Sequence, residues 1–380
     1  MTHRERVRAA LSHRQPDKMP VDLGSTVNSS LVVEAYDKLK KHFRLESENS
    51  LCNRMMRAVK VEEQILQALN IDTRGVFVGA PLKGGDQELP PNRYRDLWGV
   101  EREKPEHSYY YDLKKSPLAG EITVSDISRY PWPDPEDPGF VQDLKPSVKG
   151  IREKTDCAIV LQLPPAFIHP TQFLRGFEDW FCDFALHSKV MEPLFDAVLE
   201  ITLHISKKAL EQVGQEVDIV CVAEDIGTQD RLMISHDHYR KYIKPRHGKY
   251  FRQIRDLSLG KLLYHSCGSI VSIVEDLIDI GVEALNPIQV TAAGMVPMEL
   301  KRKYGRHLAF WGGIDVQHLL PKGTVQEVKR KVEEFKGIGA GGGYILSATH
   351  NIQPDIPLEN LLAVFQHPRD YPVLAKASRS

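Results

Sequence analysis

His265 and Cys267, an imidazole and a thiol two residues apart, offer the clearest chemistry in this chain. They lie in KLLYHSCGSI, Lys261 to Ile270, where an apolar run leads into His-Ser-Cys-Gly. In an extended segment, residues two apart project from the same face, so both side chains can reach one atom. An imidazole with a thiolate is a zinc donor set. Fifteen His and five Cys in 380 residues supply roughly 0.2 such pairs by chance, so the pair draws its weight from its company. Alone, it reads equally well as a half-buried histidine beside a small core cysteine.

The elements that must position this pair follow a regular rhythm. Apolar runs predict strands at 73–78, 157–163, 218–223, 261–264, 283–286, 308–311 and 343–347. Between them lie amphipathic stretches that predict helices at 141–154, within 173–212, and at 236–256, 269–280, 297–303, 325–336 and 357–366. Alternation at this spacing predicts a parallel sheet of βα units. No strand–turn–helix carries G-x-G-x-x-G, so a (β/α)8 TIM barrel is favoured over a doubly wound sheet. The eighth strand is left open between Pro20–Leu23 and a segment within 165–215. Helices at 2–12, 29–43 and 59–69 predict an N-terminal helical extension over about 1–70. Pro, Gly, Tyr and Trp accumulate over about 82–139, which predicts a hairpin and loop excursion over a binding face. The whole chain, 1–380, is read as one barrel domain.

Chemistry in such barrels gathers where strands end. Five consecutive predicted strands end in side chains able to bind a metal or a polar substrate. They deliver Glu224 and Asp225, then His265 and Cys267, then Asn286 and Gln289, then Asp315, and last His350 and Gln353. The best metal ligands are His265, Cys267 and His350. Three protein ligands leave zinc an open position, as in catalytic sites, and Glu224 could fill it exchangeably. Glu224, Asp225 and Asp315 are candidate acids, and His169, Asn286, Gln289 and Gln353 candidate substrate contacts. Each has a plainer alternative as a helix cap, turn former or surface residue.

Composition narrows the partners. Formal net charge is −1, and no basic run is interleaved with aromatics, so nucleic-acid binding has no electrostatic support. No apolar stretch approaches the roughly 18 residues of a membrane span. The opening segment lacks a signal-peptide core, and five scattered cysteines argue for a reducing cytoplasm. The sequence is compatible with a homodimer but does not fix the oligomeric state.

Three blocks carry a family resemblance: RERVRAALSHRQPDKMPVDLG; YHSCGSI, LNPIQVTAAGM, LKRKYG and FWGGID; and HNIQPDIPLENLLAVFQ. Over nearly the whole chain they resemble the uroporphyrinogen decarboxylase superfamily, whose fold is a (β/α)8 barrel. The His-x-Cys pair is similar to that of its zinc-dependent, corrinoid-linked methyltransferase branch, which also uses a distant Cys before a P-x-x-P-like segment. Carried over, the ligands are His265 and Cys267, with His350 standing where the family has Cys, ahead of Gln353-Pro354-Asp355-Ile356-Pro357. True decarboxylases resemble the chain less: their Arg-rich R-Q-A-G-R segment is absent, and Phe77-Val78-Gly79-Ala80 replaces their F-S-D-like strand end.

The resemblance implies zinc as cofactor, a corrinoid carried by a partner protein, and a small methylated substrate. The expected reaction moves methyl from a small donor, a methoxylated aromatic for example, to Co(I) of the partner's corrinoid. Alternatives are a methyl-corrinoid:thiol methyltransferase of the coenzyme M type and a decarboxylase. A metal-free binding protein using the same rim is the non-enzymatic alternative.

Overall fold

Seven short apolar segments pair in parallel, each beside the next in the chain: Thr73–Phe77 (β1), Ala158–Gln162 (β2), Ile219–Ala223 (β3), Lys261–His265 (β4), Ala284–Asn286 (β5), Ala309–Trp311 (β6) and Tyr344–Ile345 (β7). This computed structural model describes residues 1–371; the remainder of the expected domain, 372–380, lies outside the described residues. All seven strands fall where the apolar runs predict them. The ring is completed by Pro20–Leu23: Asp22 N–H donates to the Leu346 carbonyl at 2.9 Å, Leu346 N–H to Pro20 at 2.9 Å, and Asp72 N–H to Val21 at 3.0 Å. The segment within 165–215 instead forms three helices, Ile168–Arg175, Phe177–Ala185 and Met191–Val213. The architecture is thus α/β and TIM-barrel-like.

Pleating separates two apolar clusters. One fills the ring itself and includes Ala158 and Val160 of β2, Ile219 and Cys221 of β3, Leu263 of β4 and Trp311 of β6. Val7, Ala10 and Leu11 of the first helix, His3–Leu11, join it and close the end at which the strands begin. The larger cluster lies between the strands and the surrounding helices. Each aliphatic or aromatic side chain fully buried there contributes roughly 1.5–3 kcal/mol.

Two details depart from the helical periodicity. The helix predicted from Ser29 begins only at Val33, because Leu31 and Val32 form bridges with Ile352 and Ala58. The helix predicted over 236–256 contains a π turn, Tyr239–Ile243, just before Lys244-Pro245. Pro245 has no N–H to give the preceding turn, and the wider loop absorbs that loss.

The excursion is a four-stranded antiparallel meander: Gln87–Leu89, Arg93–Arg95, Glu101–Glu103 and Asp112–Lys115. It reaches the rim at which the barrel strands end. The Arg102 guanidinium lies 4.3 Å from the ring centre of Phe173, and the Tyr110 hydroxyl donates to Asn351 Oδ1 at 3.3 Å. Among the described residues no helix is long and apolar enough to cross a membrane.

Candidate metal centre

His265 is the last residue of β4, and its side chain points inward with the Leu263 register. Two residues on, Cys267 projects the same way, as alternation requires; its Sγ lies 3.5 Å from His265 Nε2. His350 arrives on the loop after β7. One ligand atom from each of His265, Cys267 and His350 lies within 4.8 Å of the other two. Residues 85 positions apart in the chain therefore meet because β4 and β7 belong to one ring.

The hydrogen bonds around His265 decide which nitrogen is free. Asn286 donates from Nδ2 to the Trp311 carbonyl at 3.0 Å, so its Oδ1 must be the atom facing His265 Nδ1. An acceptor there fixes the proton on Nδ1 and leaves the Nε2 lone pair directed at Cys267 and His350. This is the tautomer a metal needs. Burial holds His265 below its ordinary range, and burial reinforced by His265 pushes His350 down to about 4. Both rings are thus neutral near pH 7, the ligating form. Burial and then Asp225 raise the Cys267 thiol well above its usual value, so its proton would leave only on metal binding. The residues present fit a zinc ion.

Two glycines place Cys267. Gly268 has φ +86° and crosses Gly227 so closely that an added Cβ would stand 2.5 Å from the Gly227 carbonyl carbon. The loops after β3 and β4 can touch only because both positions lack a side chain. Gln289 Oε1 accepts from Gly268 N–H at 2.7 Å and holds the same loop from the β5 side.

Asp225 stands beside the centre. Its Oδ1 accepts from Cys267 N–H at 2.7 Å and lies 3.8 Å from His265 Nε2. Burial pushes its carboxyl up, but His169, His265 and the Cys267 N–H outweigh this and hold it below the usual carboxylate range. His169 Nε2 accepts from Asp225 N–H at 3.0 Å and its ring stacks on Phe173.

Other candidates lie elsewhere. Ile219 and Cys221 face the ring interior, so Asp225 shares their side and Glu224 points out toward the helices. There Glu224 Oε1 accepts from Phe167 N–H at 2.7 Å, and Oε2 pairs with buried His247 at 2.8 Å. Both oxygens are committed, and Glu224 is not brought to the metal centre. Asp315 accepts from the backbone N–H groups of Gln317, His318 and Leu319, each at 2.9 Å; it ties down the turn that leads into the short helix Leu319–Lys322. Asn286 orients His265 from behind. Gln353 donates to the hydroxyl of Tyr110, and its buried Oε1 has no partner among the described residues.

Two residues near the centre are absent from the strand-end reading. Tyr110, held protonated by burial that lifts it to about 12, belongs to the excursion. Asn28 follows the closing segment: its Nδ2 lies 3.0 Å from His265 Nε2 and 3.4 Å from His350 Nε2. The signal that could have found it is the position of Pro20–Leu23 as a barrel strand, which makes residues 24–30 a strand-end loop like the others.

Residues 110–371 match the family described as Uroporphyrinogen decarboxylase (URO-D). The chain belongs to the URO-D family. Curated relatives carry a narrower name. Methylcobamide:CoM methyltransferase MtaA of Methanosarcina barkeri is 25% identical over 174 residues, 45% of this chain and 47% of the relative. Its counterpart from strain Fusaro / DSM 804 is 24% identical over the same share. The aligned segment thus spans about half the length of these relatives. A solved structure described as a methyltransferase from Methanosarcina mazei superposes with a TM-score of 0.67 at 18% identity, over 96% of this chain and 98% of that one. This likeness shows the fold, and both chains are covered almost entirely.

Proposed function

We propose that this chain is a zinc-dependent methyltransferase that takes a methyl group from a small methylated donor and passes it to the Co(I) corrinoid of a partner protein. The observation that carries the reading is the convergence of His265, Cys267 and His350 within 4.8 Å at the rim where barrel chemistry is sited. Bound there, zinc would supply Lewis-acid polarisation of the heteroatom that carries the methyl group.

The chain's residues divide the remaining work. Asn286 keeps His265 in the ligating tautomer. Cys267 would hold zinc as the thiolate, and with two neutral imidazoles the donor set would leave one positive charge uncompensated. With a second thiolate, as in the family pattern, that charge would be neutralised. The substitution by His350 therefore favours activation of a departing oxygen or nitrogen over activation of a thiolate nucleophile. Asp225, ionised and 3.8 Å from His265 Nε2, would orient the donor and balance the positive charge of the centre. Tyr110 is tied to the His350 loop through Asn351 and Gln353, and His169, stacked on Phe173, meets Asp225. A reducing compartment, the cytoplasm, suits a thiolate ligand and five cysteines that are all unpaired.

The relatives' name supports a second reading, methyl transfer from methyl-corrinoid to a thiol. One set of assays separates the two. Full-length protein is mixed with a Co(I)-corrinoid protein and a panel of methoxyarenes, methylamines and methanol, and methyl-cobalt formation is followed by absorbance. A parallel arm supplies methyl-corrinoid and coenzyme M. Demethylation of a donor supports the first reading; thiol methylation alone replaces it with the second; inactivity in both arms refutes methyl transfer. Zinc should be stoichiometric in the wild type and lost in Cys267→Ser.

A further inference from the structure

Asn28 brings a polar atom to the distance from both imidazoles that separates two ligands of one ion, since Zn–N bonds are about 2.0–2.1 Å long. Its Nδ2 faces His265 Nε2 at 3.0 Å and His350 Nε2 at 3.4 Å. On His265 the tautomer argument makes Nε2 an acceptor, so the amide group is donating hydrogen into a lone pair aimed at a metal. Its Oδ1 accepts no hydrogen bond from the described residues.

The loop beneath is built to hold this side chain still. Gly24 N–H donates to the Ser29 carbonyl at 2.9 Å. Thr26 and Ser29 clasp one another through 3.0 Å and 3.1 Å bonds, and Ser25 N–H donates to Asp22 at 3.3 Å. Asn351, the neighbour of His350, donates to the Val27 carbonyl. Ile352 N–H donates to the Ser30 carbonyl at 3.0 Å, so the loops bearing Asn28 and His350 are bonded to each other at two points.

We propose that Asn28 is the fourth ligand of the metal, bound through Oδ1 and released when substrate arrives. A half-turn of the amide about its last torsion, a broad rotor, exchanges the two N–H donors for one oxygen at the same centre. Glu224, the candidate suggested by sequence order, is committed to His247 and the Phe167 backbone. An amide oxygen is neutral and an ordinary ligand of hard and borderline cations. It completes a tetrahedral set without cancelling the charge that two imidazoles and one thiolate leave, and a neutral ligand is readily displaced.

The inference rests on the zinc reading, and the test keeps the two apart. Metal-free full-length wild type, Asn28→Ala and Asn28→Asp are titrated with zinc against a chromophoric chelator. Cobalt(II) absorption spectra are recorded in parallel. A lost contact at a metal centre costs roughly 10–100-fold in affinity, so Asn28→Ala should bind zinc at least tenfold more weakly and shift the cobalt bands. Asn28→Asp, which keeps an oxygen there, should bind at least as tightly as wild type. Equal affinity in Asn28→Ala overturns the assignment. So does an Asn28→Asp variant as weak as Asn28→Ala, because a donor role alone predicts that result. Failure of the wild type to take up zinc overturns the metal reading itself.

Discussion

Replacing Asn286 with alanine is the sharpest test of how the centre is held. The substitution removes the acceptor that keeps a proton on His265 Nδ1 and the donor that satisfies the Trp311 carbonyl at 3.0 Å. Asn286 is 5% exposed, so neither freed group finds water easily. A buried polar group left unpaired costs about 1–3 kcal/mol. Loss of a partner that orients a metal-binding histidine costs roughly 10–100-fold in affinity, which is about 1.4–2.7 kcal/mol. The two figures describe the same bond from two sides, one as stability and one as binding, and are not summed. Zinc affinity of Asn286→Ala should therefore fall between ten- and a hundredfold in chelator competition, and the metal-free variant should be about 1–3 kcal/mol less stable in denaturant unfolding. Nitrogen NMR of the metal-free wild type should find the His265 proton on Nδ1. A proton on Nε2, or an affinity within twofold of wild type in a folded variant, would refute the tautomer argument.

Asp315→Ala should lower unfolding stability by about 1–3 kcal/mol, because three backbone N–H groups of its turn lose their acceptor, while leaving zinc affinity unchanged; a folded variant with altered zinc binding would restore Asp315 to the site. Gly268→Ala forces a side chain into φ +86° with its Cβ 2.5 Å from Gly227, a strain of about 1–2 kcal/mol. Calorimetry should register the strain, and zinc affinity should drop at least tenfold as the Cys267 loop shifts; unchanged affinity means Cys267 is positioned by other contacts. Burial pushes the Asp276 carboxyl up, but His236, Lys244 and Arg240 outweigh it and hold it at about 2 against an ordinary 3.8. A depressed carboxyl stabilises the fold above the unfolded value, here up to about 2 kcal/mol, and that contribution is lost as pH falls from 3.8 to 2. The stability gap between wild type and Asp276→Asn should follow that curve, and a gap independent of pH would show that the ion cluster is not its source.

The strands were legible because period and composition agree: runs such as 158–161 are apolar on both faces, as a covered parallel sheet demands. The eighth was not, because Pro20–Leu23 is short and its backbone joins the ring through bonds to Leu346 and Asp72, beside the last and first of the other strands. The inward set His265, Cys267 and Asp225 follows from alternation once register is known, and Glu224 is excluded by the same rule. Neighbouring acidic residues look alike in a sequence; the pleat sends one to the rim and the other into the helix layer. Asp315 was ambiguous for a different reason, since a carboxylate at a strand end serves a helix cap and a reaction equally well. Asn28 was hidden because an asparagine in a Ser-rich turn has a common local use, and only the closing of the barrel brings it to the histidines.

Closure of the ring by Pro20–Leu23 also sets an order of events during biogenesis. His265 and Cys267 are synthesised well before His350, and the loop of residues 24–30 reaches them only after the first and last barrel segments have met. Before that, the proposed set is incomplete, with only His265 and Cys267 brought together by one strand end. If the centre holds zinc as proposed, the full ligand set exists only once the first and last barrel segments have met, and metal retention would then report completed assembly.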